Sequence, residues 1–92
     1  MKIKTEVTHK VDYQELEKTI QEVYGWEFSV VADWEGKNDS QIEMHIDTKT
    51  DRGRLNEWIK TGKGDYMTRI IMCDLCANGF IPAGSYVIRI SW

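Results

Sequence analysis

Hydrophobic and polar positions alternate in four stretches along this chain and turn helical in between. Residues 2–8 put Ile3, Thr5 and Val7 on one side and Lys2, Lys4, Glu6 and Thr8 on the other. That is the period of a half-buried strand. Asp12, with Glu15 three positions later, forms a capping-box-like helix start. Tyr13, Leu16, Ile20, Val23 and Tyr24 then follow at helical spacing, and Gly25 supplies a left-handed stop. Alternation returns over 26–34, with Trp26, Phe28, Val30, Ala32 and Trp34 sharing a face and Glu27, Ser29, Val31 and Asp33 the other. It returns again over 41–48, where Ile42, Met44 and Ile46 point inward and Glu43, His45 and Asp47 outward. The polar stretch Glu35–Ser40 between them predicts a turn, so 26–47 reads as a β-hairpin.

Beyond Thr50 the period becomes helical. Leu55, Trp58 and Ile59 predict a short helix ending near Gly62. A second helix is expected from Asp65 to Asn78, carrying Met67, Ile70, Ile71, Leu75 and Cys76, with Gly79 and Phe80 as a Schellman stop and Pro82 just beyond. A last strand alternates Tyr86, Ile88, Ile90 and Trp92 against Val87, Arg89 and Ser91. The order β-α-β-β-α-α-β predicts an α+β, two-layer sandwich, with a ferredoxin-like split βαβ and strand order 4-1-3-2 as its simplest packing. Nothing in 1–92 marks a linker, repeat or boundary, so one domain is expected. Either edge candidate, 26–34 or 84–92, would offer a surface for homodimer pairing.

Charge and composition narrow the functional classes. Twelve basic and 15 acidic residues give a net charge of -3, without the basic footprint of a nucleic-acid binder. The strands expected at the sheet centre, 2–8 and 41–48, carry no aromatic residue for base stacking. No apolar run approaches the roughly 20 residues of a membrane span, and the charged start Met-Lys-Ile-Lys lacks a signal core. A cytoplasmic location is the expectation.

Few residues suggest chemistry. Cys73-Asp74-Leu75-Cys76 has redox spacing, but a redox pair uses a helix N-terminus to depress its first thiol. This pair falls near a helix C-terminus, where the dipole acts oppositely. Packing is therefore the role read for both cysteines. Zinc would require His9 and His45 together with them, and His45 points to the other face. Glu43, His45 and Asp47 stand about 7 Å apart along one strand face, without a nucleophile or phosphate cradle. Gly62-Lys63-Gly64 does not complete a P-loop. No catalytic residue, metal or cofactor is assigned, and the chain is read as a non-enzyme. Four Trp residues in so small a chain are core material, with one or two left as anchors for a partner.

The segments 26–35 (WEFSVVADWE), 38–40 (NDS) and 75–92 (LCANGFIPAGSYVIRISW) resemble small accessory proteins carried by phages and other bacterial mobile elements. The resemblance implies a non-enzymatic inhibitor that binds a host protein or complex, as anti-CRISPR and other anti-defence proteins do. The residues expected to carry contact are Asp33, Trp34, Glu35, Asp39, Glu43 and Asp47, an acidic strand face and loop steered onto a basic groove. The alternative is a small-molecule or metal-binding module acting as a ligand sponge or sensor.

Overall fold

The computed structural model describes residues 8–92. The strand expected over 2–8 thus lies, apart from Thr8, outside the described residues. Strand β1 runs Thr8–Asp12 and passes directly into helix α1, Tyr13–Tyr24. Asp12 makes that switch, because its carboxylate accepts from the Gln14 N–H. Gly25 ends α1 at φ 77, in the left-handed region glycine tolerates best. Leu16 and Ile20 put the buried face of α1 on the sheet.

The next segment departs from the expected strand. Residues 25–29 are irregular, and Val30–Trp34 form a one-turn helix, α2. Ser29 caps it by accepting from the Ala32 N–H, and Glu17 of α1 accepts from the Val30 N–H at 2.8 Å. Two local caps at one helix start outweigh the strand preference of the β-branched pair Val30-Val31. The hairpin over 26–47 is therefore replaced by a helical turn, a bend and a single strand, β2, spanning Ser40–Ile46.

Helices α3, Arg52–Thr61, and α4, Met67–Ala77, follow close to their expected positions. Asp51 caps α3 through the Arg54 N–H, and Gly62 stops it. α4 ends as a Schellman turn, with the Phe80 N–H donating to the Leu75 carbonyl at 2.9 Å. The Phe80 ring itself remains exposed. Strand β3, Gly84–Ile90, completes the chain.

Among the described residues the sheet has three strands in the order β1-β3-β2, with β1 parallel and β2 antiparallel to β3. The α+β class holds. The order 4-1-3-2 does not, since 26–34 contributes no strand. For the same reason neither 26–34 nor 84–92 is a free edge: β3 is flanked on both sides. Tyr86, Ile88 and Ile90 of β3 face inward with Ile42, Met44 and Ile46 of β2. The helices cover that side. α4 is the hub, with nine of its eleven residues buried. A helix apolar nearly all round must be enclosed; α2, α3 and β2 pack against it, and Tyr24 of α1 bonds to its Asp74. Trp92 falls beyond β3 and is exposed, held through its backbone N–H to Asn38.

Candidate functional site

Because 25–34 does not join the sheet, its aromatic residues have another destination. Trp26 and Phe28 both set their rings edge-on to Trp58 of α3, with centroids 5.1 and 5.7 Å apart. Trp34, at the end of α2, meets Tyr66 just before α4, at 4.9 Å and a 59° tilt. Such pairs each contribute about 0.5–1.5 kcal/mol beyond their burial. Between the segments Gly25–Glu35 and Trp58–Tyr66 lies an open groove of about 830 Å³. Its lining includes all five of these rings and Ile59, which is itself half exposed.

Four acidic residues also line the groove, Glu27, Asp33, Glu35 and Asp65, and among the described residues no Lys, Arg or His does. Asp33 is committed internally. Its Oδ1 accepts from the Met67 N–H, and its Oδ2 from the Thr68 N–H and hydroxyl, at 2.6–2.9 Å. It thereby caps α4 from another helix, supplying the acceptor that Tyr66, the residue at the local cap position, does not provide. The carboxylates of Glu27, Glu35 and Asp65 have no hydrogen-bond or ion-pair partner among the described residues. Arg54 approaches this rim, but its Nη2 donates to the Asp65 main-chain carbonyl at 3.0 Å.

Strain concentrates at the same place. Among the described residues three non-glycine residues have left-handed backbone, Glu35 at φ 49, Asp39 at φ 60 and Tyr66 at φ 55. Glu35 and Tyr66 line the groove. For a bulky residue such as Tyr this conformation is an outlier. It projects Tyr66 outward, 58% exposed, instead of into the core. Gly64 permits the close passage into α4: a Cβ there would stand 2.9 Å from the Met67 sulfur and 3.4 Å from the Trp58 ring.

A polar cluster supports the back of the groove. Tyr24 stacks on Trp26 at 4.2 Å and donates its hydroxyl to Asp74 Oδ2 at 2.5 Å. Asn78 donates to the same oxygen at 3.1 Å. Arg52 Nη2 lies 3.3 Å from Oδ1, close enough for an ion pair but not aligned for a hydrogen bond. Burial first, then the Asp74 carboxylate, raises the Tyr24 hydroxyl well above the usual phenol range. A hydroxyl so held keeps its proton and serves as a donor that fixes Trp26. The nearby cysteines are free and buried, and burial, then Cys73, raises the Cys76 thiol. That is the reverse of redox activation.

Of the six sequence-predicted contact residues, Asp33, Trp34 and Glu35 meet at the groove, with Asp33 engaged in capping. Asp39 lies in the turn before β2, Glu43 on the outer sheet face, and Asp47 past β2, where it accepts from the Lys49 N–H. The outer face is charge-mixed rather than acidic: Lys10 and Glu43 flank Val87, while Asp12 and Gln41 flank Arg89. His9 faces inward on Tyr86 and His45 outward, so the two histidines do not converge. No group of three His, Cys, Asp or Glu among the described residues is placed to hold a metal ion. The sequence reading did not name Tyr66, and placed Asp65 only at a helix start and Glu27 only on the face shared with Asp33. Trp26, Phe28 and Trp58, read as core residues, do pack against the core but are half-buried and also line the groove. The one signal available was Ser29 as a cap inside an apparent strand. No described helix is long and apolar enough to cross a membrane.

The chain matches no protein family, no curated protein and no solved structure.

Proposed function

We propose that this chain is a non-catalytic protein-binding inhibitor whose docking surface is the aromatic groove between 25–35 and 58–66. The observation that carries this reading is the exposed, backbone-strained Tyr66 beside Trp34. The strained backbone offsets what the contact with Trp34 contributes, so the exposed ring adds little net stability to the fold. Aromatic side chains presented in a concavity are the usual anchors of protein interfaces. The resemblance to mobile-element accessory proteins supports the choice of target class, a host protein or complex in the bacterial cytoplasm that handles nucleic acid. Such targets carry basic grooves, and the free carboxylates here would steer the encounter.

The test is capture of the target by immobilised wild-type chain against two variants. A Trp34→Ala/Tyr66→Ala double variant, shown folded by circular dichroism, should lose the target and its inhibition. Glu43→Lys, on the outer sheet face, should retain both. Capture unaffected by the groove variant and abolished by Glu43→Lys would move the interface to the sheet and sink this proposal.

A further inference from the structure

The groove combines two features that single out one kind of side chain. Its lining includes five aromatic rings and the carboxylate residues Glu27, Glu35 and Asp65, with no cationic residue among the described ones. A purely apolar partner would leave those carboxylates desolvated and unpaired, which is unfavourable. An acidic partner would be repelled. A small compact cation such as Lys or a metal ion would satisfy the charge but gain less from the rings, because it is strongly hydrated. A guanidinium is planar and weakly hydrated. It can lie on an aromatic face while its edge donates two parallel hydrogen bonds to a carboxylate. Trp34 meets Tyr66 at 4.9 Å, and both line the groove together with their chain neighbours Glu35 and Asp65.

Resting on the docking reading above, we infer that the groove recognises an arginine side chain in an exposed segment of the partner protein. The guanidinium stacks on the Trp34/Tyr66 rings and is paired by Glu35 and Asp65. Trp26, Phe28 and Trp58 receive the apolar neighbours of that arginine. Glu27 lines the same groove and widens the negative field without being required for the pairing.

The probe is a short, otherwise uncharged peptide carrying two arginines, compared with the same peptide carrying lysine or citrulline in their place. Citrulline keeps the planar shape and loses the charge. Binding to the full chain is read by titration calorimetry, and its location by the tryptophan indole N–H signals in NMR. The arginine peptide should bind saturably and shift the Trp34 signal. The lysine peptide should bind several-fold more weakly, and citrulline should show no saturation. Glu35→Gln/Asp65→Asn should weaken the arginine peptide about tenfold, as loss of charge-assisted pairing implies, while Glu43→Gln should not. Equal binding of arginine and citrulline, equal binding of arginine and lysine, indifference to the Glu35/Asp65 variant, or no saturable binding each overturns the inference. These outcomes separate from failure of the docking reading. A target lost with Trp34→Ala/Tyr66→Ala but retained with Glu35→Gln/Asp65→Asn keeps the groove as the interface and removes arginine as its ligand.

Discussion

Asp33 shows how one carboxylate can be diverted from an apparent surface role to an architectural one. It accepts from two backbone N–H groups and one hydroxyl at the start of α4, so its removal leaves buried donors without acceptors. Asp33→Ala is expected to destabilise the fold by about 2 kcal/mol, seen as a lower urea midpoint at unchanged slope. A contact residue on a free surface would show almost no change. Tyr24 makes a second prediction at this scale. Its phenol is raised in the folded chain, so the folded state holds that proton more tightly than the unfolded state, whose tyrosines titrate near pH 10. The stabilisation is complete below about pH 10 and is lost as pH rises above it. Thermal unfolding should therefore fall from about pH 10 upward, and less steeply in Tyr24→Phe. Tyr86, raised by its own burial, leaves a residual slope. Identical slopes in wild type and variant would remove Tyr24 from this account.

The segment 26–34 carries the lesson at the scale of an element. Its alternation is real, and Trp26 and Phe28 do share a side, but that side meets Trp58 rather than a neighbouring strand. Period-2 patterning reports which residues are on one side of an extended chain. It does not report what lies opposite. The local decision for helix at Val30 comes from Ser29 and from Glu17, thirteen residues earlier. Ser29→Ala should cost about 1 kcal/mol by removing the cap of α2. Were the segment a strand, the exposed Ser29 could be replaced at almost no cost, and equal unfolding midpoints would argue for that. The helices α1, α3 and α4 were legible through Asp12 and Gly25, Gly62, and Gly79 respectively, whereas β1, at Thr8–Asp12, shares only Thr8 with the strand expected over 2–8. The start of α4 has no local side-chain cap, since its acceptor comes from another helix.

At the scale of the whole molecule, the strained Tyr66 links stability to binding. Tyr66→Gly relieves a left-handed backbone worth roughly 1 kcal/mol and forfeits a ring contact of similar size with Trp34. The two effects oppose each other, so stability should change by less than about 1 kcal/mol. Target capture, by contrast, should fall sharply. A large loss of stability with capture intact would make Tyr66 a structural residue and leave the groove without its anchor. The charge-mixed outer sheet face belongs to the same scale. Glu43 stands beside Val87 and Lys10 only because β3 runs between β1 and β2. That strand order converts an acidic-looking sequence into a balanced surface.

The α+β composition, the positions of the capped helices and the inward faces of β2 and β3 follow from the sequence alone, because caps, turn residues and side-chain periods act over a few neighbours. Tertiary structure decided the rest. It turned 25–34 away from the sheet, spent Asp33 on α4, and gathered carboxylates and aromatic rings from 26–35 and 58–66 around one groove. Those outcomes depend on which surfaces meet after the helices pack, and contacts between residues some thirty positions apart leave no local pattern in the chain.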